Sequence, residues 1–398
     1  MKKYITDINN NILFSESNII ETNNINESIE VYDKISKFYG MGGALTQAST
    51  VNYKLLDNTS KEDFIKSYFE DLNYKYIRLP IGSCDFSPIS YDYLSFGKFN
   101  IGKDKKYIHP LLNEIKKYNI TYIASPWSPP KAYKNFFNNK LKNNKYEDYA
   151  NYLVNYINYY KDYGINIKYL SIQNEPNALQ KWESCLFNSN EQKEFMNILI
   201  PKLNDTTIML HDHNKSDLTK YIDDIYIQND KISSIAFHWY DGSHFDELNK
   251  VHNKYPNLTL IESEMCCGYS PYNQIEWIKD SELYVNEIIG NLNNYMNIYM
   301  DWNLLLDDKG GPNHKKNYVK SPIIRNNNSI IKTPIYYYLK HISLHQDSNI
   351  YANASNYLKV LVSDKYITIM NNTNDDISFS ILDIKDTIPK HSIITYEK

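Results

Sequence analysis

The 398-residue chain is 42% hydrophobic and 23% charged, ordinary globular values that exclude a largely disordered polymer. No run approaches about 18 uninterrupted apolar residues, so an integral membrane segment is excluded. With 43 basic and 47 acidic residues and a net charge of −4, a nucleic-acid backbone is excluded as the main partner.

The first residues, MKKYITDINNN, carry lysines but no apolar stretch behind them, so they do not read as a secretory signal. The expected compartment is cytoplasmic, or secreted if a leader has been removed. Residues 1–37 are polar and Asn-rich with short alternating apolar pieces, a pattern of strands and turns. From residue 38 eight β-like runs follow: FYGMGGALT (38–46), YKYIRLPIG (74–82), ITYIASPWS (120–128), IKYLSIQNE (167–175), TTIMLHDHN (206–214), SSIAFHWY (233–240), LTLIESEM (258–265) and NIYMDWNL (297–304).

Helical patterns separate the runs. Ser60 and Asp63 resemble a capping box ahead of Phe64, Ile65, Tyr68, Phe69 and Leu72, which share one helical face. Residues 146–163 repeat the pattern with Tyr149, Ala150, Leu153, Val154, Ile157 and Tyr160. Alternating β and α with apolar strands predicts an α/β fold with a parallel sheet, and eight units predict a closed (β/α)8 TIM barrel over 38–345. The tail from about 350 changes to period-two alternation with NNTND and SDK turns. It is short for an independent module, so residues 1–37 and 346–398 are expected to form one side β-sandwich together. The stretch TPIYYYLKHISLHQ between barrel and tail reads as packed rather than as a free linker.

Catalysis on such a barrel occurs at the C-terminal strand ends. Those ends carry Arg78 and Cys84-Asp85-Phe86 (second run), Trp127 (third), Asn174-Glu175 (fourth) and His211-Asp212-His213-Asn214 (fifth). They continue with His238-Trp239-Tyr240 (sixth), Glu262 and Glu264 (seventh) and Asp301-Trp302-Asn303 (eighth). Carboxylates from the fourth and seventh runs would face each other across the mouth, with Trp127 and Trp302 as apolar walls for a sugar ring. Paired carboxylates suit glycoside hydrolysis, where one protonates the leaving oxygen and the other attacks the anomeric carbon. HDHN invites a metal reading, but no third and fourth ligands stand at suitable spacing, so no metal is expected. Cys84, Cys185, Cys266 and Cys267 form no CxxC, which argues against a disulfide scaffold or a zinc ribbon.

The segments FYGMGGALTQAS, IRLPIGSCDFS, ASPWSPPKAYK, SIQNEPNALQKWESC, FHWYDGSHF, IESEMCCG and DWNLLLDDKGGPNH resemble glycoside hydrolase family 30, the family of glucosylceramidases and microbial β-1,6-glucanases. They run in family order from residue 38 to about 322, and IPKHSIITYEK resembles the family's closing strand. The resemblance implies a retaining β-glycosidase without a cofactor. It makes Glu175 the acid/base and Glu264 the nucleophile. Glu262, two residues before Glu264 and on the same face by strand period, would be a pillar deeper in the barrel. The other implied roles are Asp85 accepting hydrogen bonds from sugar hydroxyls and Trp127 and Trp302 bracketing the glucose. Asn174 would hold the 2-hydroxyl, and Arg78 would keep Glu264 ionised. His238 and Tyr240 would orient that same carboxylate, and Asn317 would sit at the rim. The expected substrate is a β-glucoside or β-glucan, and the leading activity is a glucosylceramidase-type β-glucosidase. An endo-β-1,6-glucanase is the alternative, ahead of a non-catalytic carbohydrate-binding protein or a metal-dependent barrel hydrolase. The loops after the first, sixth and eighth runs read as polar, and no oligomeric state is assigned.

Overall fold

The computed structural model describes residues 1–398 apart from Phe136 and Tyr272. Three strands open the chain: β1 (Lys2–Asp7), β2 (Ile12–Ser17) and the long β3 (Glu27–Phe38). The eight runs then form β4 (Gly40–Ala44), β5 (Tyr76–Ile81), β6 (Thr121–Pro126), β7 (Ile167–Ser171), β8 (Thr207–Asn214), β9 (Ile232–His238), β10 (Thr259–Glu264) and β11 (Ile298–Asp301). Each pairs in parallel with the next, and β11 closes on β4.

The barrel interior is filled by side chains rather than left as a pore. Ile123, Met209, Ala236, Ile261, Ile298 and Met300, from five strands, make one buried apolar cluster. The glycines of FYGMGGALT have a local cause. A Cβ on Gly42 would collide with the carbonyl of Tyr76 on the neighbouring strand. Only glycine allows that approach.

The outer helices follow the predicted faces. The helix Asn58–Lys66 and the turn after it bury Phe64, Ile65, Tyr68, Phe69 and Leu72. Its cap differs from expectation. Asp57 precedes the helix, and its carboxylate accepts the Ser60 backbone N–H at 2.8 Å. Ser60 is therefore inside the first turn, because a carboxylate three residues earlier already meets the orphan donor. The helix Tyr146–Asp162 buries Tyr149, Ala150, Leu153 and Tyr160 as the spacing predicts.

The tail supplies β12 (Ser348–Ala354), β13 (Lys359–Ser363), β14 (Tyr366–Asn371), β15 (Ile377–Ile381), β16 (Ile384–Ile388) and β17 (Ser392–Glu397). With the first three strands they form a nine-stranded sheet ordered β2-β1-β17-β14-β13-β12-β3-β15-β16. Val360, Ile369 and Ile394 from its middle share one core with Phe379, Ile381 and Ile388 from its far edge, so the sheet folds over on itself. β3 makes the turn possible. Residues 27–29 pair with β15, and residues 30–38 pair with β12.

The segment joining barrel to sheet is packed. It contains the helix Pro334–Ser343. The His341 ring is buried between Thr6 Oγ1 at 2.9 Å and Thr395 Oγ1 at 2.8 Å, touching both ends of the chain. His345 bridges Ser363 and Thr368 in the same way. Among the described residues, no helix is long and apolar enough to cross a membrane.

Candidate active site

Arg78, on β5, is fully buried at the centre of the barrel mouth. Its Nη1 donates to Glu264 Oε2 at 2.7 Å, its Nη2 to Asn174 Oδ1 at 2.7 Å and to Asp212 Oδ2 at 3.0 Å, and its Nε to Ser125 Oγ at 3.1 Å. A planar fork with permanent charge can organise four partners, three on the strands β6, β8 and β10 and one in the loop after β7, whereas an ammonium cannot. The guanidinium lies 4.8 Å from the Trp127 ring and 5.7 Å from the Trp302 ring.

Asp212, in the HDHN segment, is the second hub. It accepts from Arg78, from Ser125 Oγ at 2.9 Å and from Ser263 Oγ at 2.7 Å, and lies 3.3 Å from His238 Nε2. Burial would raise its pKa, but the Arg78 charge and the His238 and Ser263 bonds hold it far below the carboxylate range. The fifth run therefore supplies a structural anion. Among the described residues, no group of three or more His, Cys, Asp and Glu is placed to hold a metal ion.

The two predicted carboxylates both line a cavity of about 340 Å³ together with Asp85, Trp127, Asn174, Tyr240, Trp302 and Asn317. Glu264 receives Arg78 on one oxygen and the Tyr240 hydroxyl on the other, at 3.1 Å. Glu175 receives Gln180 Nε2 at 3.3 Å and stands 3.5 Å from His238 Nδ1. Its φ of 47° lies in the left-handed region, as do those of His211, Asp212 and Asn303. Four such residues at the strand ends of one mouth mark strain held by the surroundings, a feature of functional sites.

The proton order in the cavity reverses the simple expectation. Burial pushes Glu264 up, and His238 and Arg78 pull it back only in part, so its pKa is raised. For Glu175, burial is outweighed by the hydrogen bond and charge of His238, and its pKa is lowered. His238 itself is disfavoured by burial, but Glu264, Asp212 and Glu175 hold it up to about 9. At neutral pH the proton available to Glu175 resides on the imidazole beside it.

Four further placements depart from the sequence reading. His238 hydrogen-bonds to no oxygen of Glu264. It stands between Asp212 and Glu175, and it reaches Glu264 only through its charge. Trp127 and Trp302 do not bracket an open slot. Their rings stack on each other, centroids 5.0 Å apart and tilted by 18°, which leaves no room for a sugar between them. They make one continuous indole wall. Glu262 is not on the Glu264 face. The β9–β10 register slips between Phe237 and His238, so the period of two breaks there. Glu262 accepts instead from Asn291 of the outer helix Gln274–Leu292, beside the buried Lys215–Glu287 pair. Asn317 is more than a rim residue, because its amide donates to Asp85 Oδ2 at 2.9 Å. Asp85 is buried, and burial carries its pKa to about 8 despite that bond.

Sequence reasoning missed Asp212, Ser125, Ser263 and Gln180 as members of the site. Asp212 stands at a strand end, but HDHN reads only as a metal site, and once that is set aside Asp212 has no role in the sequence reading. Asn174 accepts from Arg78 through Oδ1, which turns its amide NH2 toward the cavity it lines.

A closed parallel barrel whose mouth holds two buried carboxylates above an indole wall has the architecture of a sugar-cleaving hydrolase. The family model "Glycosyl hydrolase family 30 TIM-barrel domain" matches residues 38–345, and the chain belongs to that family. It is 29% identical over 347 residues to the putative glucosylceramidase 4 of Caenorhabditis elegans, covering 76% of this chain and 66% of that one. It is 26% identical over 301 residues to the endo-1,6-beta-D-glucanase of Neurospora crassa, covering 69% and 61%. The chain thus spans just under two thirds of the length of these two relatives. The structure of SrfJ from Salmonella typhimurium superposes over 100% of both chains with a TM-score of 0.92 and 27% identity.

Proposed function

We propose that the chain is a retaining β-glucosidase of the glucosylceramidase type, with Glu264 as nucleophile and Glu175 as acid/base. The observation that carries this is the contrast between the two carboxylates. Both Glu264 oxygens accept strong donors, which fixes it for in-line attack, while Glu175 faces the same cavity next to a proton-bearing imidazole. In the first step a Glu264 oxygen bonds to the anomeric carbon as the bond to the aglycone oxygen breaks, and Glu175 delivers a proton to that oxygen. In the second step Glu175 takes a proton from water, whose oxygen displaces Glu264 from the anomeric carbon. Retaining pairs stand about 5–5.5 Å apart, close enough for both steps to share one sugar position.

Asn174 and Asp85 offer polar contacts to sugar hydroxyls, and the stacked indoles offer the apolar wall. The rim favours an apolar aglycone. Leu179, Tyr240 and Tyr318, next to or among the cavity-lining residues, are 67%, 41% and 40% exposed, so the loops after β9 and β11 are less polar than their composition suggests. A cleavage site within β-1,6-glucan is the second reading, supported by the polar hollow that adjoins the cavity at Trp182.

The test is a substrate panel with two variants. A fluorescent glucosylceramide and an aryl β-glucoside should be cleaved faster than β-1,6-glucan; the opposite order selects the glucanase. Glu264→Gln should abolish turnover. Glu175→Gln should lose about 10²–10⁴-fold on poor leaving groups, while on activated aryl glucosides its slowed deglycosylation should be rescued by azide to a β-glucosyl azide. A β-configured azide from the position-264 variant would reverse the roles.

A further inference from the structure

A second hollow, of about 490 Å³, lies beside the candidate active site and shares the Trp182 side chain with it. Its walls come from the loops after β5, β6 and β7, with Lys315 arriving from the loop after β11. Four lysines line it, Lys131, Lys134, Lys181 and Lys315, against two carboxylates, Asp92 and Glu183. The carboxylates are already engaged. Asp92 accepts the backbone N–H groups of Leu94 and Lys131, and Glu183 takes the Ser83 hydroxyl at 3.0 Å and faces His314 Nε2 at 3.3 Å. The cations are not engaged in the same way. Half-buried Lys134 donates only to neutral oxygens, Ser128 Oγ at 2.9 Å and the Ser184 carbonyl at 2.6 Å. Lys131, Lys181 and Lys315 are exposed, and among the described residues none of the four has an ion-pair partner. In a chain of net charge −4, this corner is cationic.

Its position gives the charge a use. Ser83 and Ser128 adjoin Asp85 and Trp127 in sequence, and His314 Nδ1 lies 3.0 Å from the Asp85 carbonyl oxygen. The hollow therefore adjoins the side of the candidate active site formed by Asp85, Trp127 and Trp182. In the closed barrel β5 and β6 lie opposite β9 and β10, which present Tyr240 and Glu264. A sugar with its anomeric carbon between Glu175 and Glu264 and its distal hydroxyls on Asp85 would extend toward the side of the mouth where this hollow lies.

We propose that the lysine-lined hollow is a subsite for an oxyanion, the carboxylate of a uronic acid or a phosphate ester, carried on the non-reducing side of the β-glucoside. This rests on the assignment of Glu175 and Glu264 as the reacting pair. Four ammonium groups at the rim of one cavity favour an anion by charge-assisted hydrogen bonds, and burial lowers the pKa of Lys134, a shift that a neighbouring anion opposes.

The experiment uses the full chain and three substrates: nitrophenyl β-glucoside, its 6-phosphate, and the same glucoside bearing glucuronic acid on O6. One anionic substrate should exceed the neutral one by at least about tenfold in kcat/KM at low salt, mainly through KM. Which of the two does so identifies the source of the oxyanion. The advantage should collapse at high salt, in Lys134→Met and in the Lys131→Ala/Lys181→Ala/Lys315→Ala variant, while the neutral glucoside is turned over as before. Anionic substrates no better than the neutral one overturn the proposal, as does an advantage that survives both lysine variants. If the neutral glucoside is not cleaved at all, the hydrolytic reading fails on its own. The subsite is then judged by titrating glucose 6-phosphate and glucuronic acid into the protein. Saturable binding that is lost in the lysine variants supports it, and binding no stronger than that of glucose overturns it.

Discussion

His238 couples the two carboxylates of the site, and its protonation fixes the pH window. Its pKa is raised to about 9, so its charge is present at neutral pH and is lost as pH rises through that value. Loss of that proton removes the supply to Glu175 and sets the alkaline limb of activity. The acidic limb belongs to Glu264, whose raised pKa means that the nucleophile is protonated earlier on acidification than an ordinary glutamate. His238→Gln should therefore narrow the bell from both sides. The acidic limb moves up because Glu264 loses a stabilising cation, and the alkaline limb falls away from about 9. A profile of kcat/KM against pH with unchanged limbs would make His238 a scaffold residue only. Glu175, Glu264 and Arg78 were legible in the sequence because chemistry concentrates at strand ends and arginine is rare here. The stacking of Trp127 on Trp302 was not legible, since spacing says where an indole is attached but not which way it lies.

The eight barrel strands were legible because each is buried on both faces and so reads as an apolar run between helical patterns. What escaped the pattern were local departures from ideal geometry. The slip in β9–β10 that separates Glu262 from Glu264 leaves no mark in residue type, because strand periodicity assumes an unbroken register. The cap of the helix Asn58–Lys66 was misplaced by three residues because Asp57, Ser60 and Asp63 are all good capping types. Gly42 is the element-scale point where sequence and packing meet. Gly42→Ala forces a methyl group against the Tyr76 backbone, which cannot swing aside as a side chain could. The expected cost is about 1–3 kcal/mol or more, read as a lowered Tm, with Gly268→Ala as the control for general glycine effects because open space surrounds it and its φ is not in the left-handed region. Equal Tm values for the Gly42 variant and the wild type would show that β4 and β5 have slack.

At the scale of the whole molecule, the barrel and the sheet are joined through polar side chains as well as apolar ones. Deleting residues 351–398 would remove Thr395, Ser363 and Thr368, leaving the buried His341 ring with Thr6 alone and the buried His345 ring without either of its partners. Unpaired buried polar groups cost about 1–3 kcal/mol each, and β1–β3 would present open edges. The fragment should be insoluble, as judged by its partition after centrifugation. A soluble 1–350 fragment with full activity on an aryl glucoside would show that the sheet is detachable. The union of both chain ends in one sheet was legible from two facts together: each end carries alternating strands, and neither has enough of them to bury an apolar face. The fold-over through β3 was not legible, because a twelve-residue strand that changes partners midway looks like any other long strand.

That union has a consequence in time. β1 pairs with β17, Lys2 opposite Glu397 and Thr6 opposite Ile393, so β1 waits on the ribosome for a strand almost 400 residues later. At about 5–20 residues per second that delay is roughly 20–80 s for a chain of 398 residues. The barrel can close once β11 has emerged to meet β4, but β1 still lacks its neighbour until β17 has been made. A chain broken off at any point before that keeps a bare strand edge in view of chaperones and proteases. The pairing of β1 with β17 thus acts as a proofreading seal, which only a chain synthesised past β17 can close.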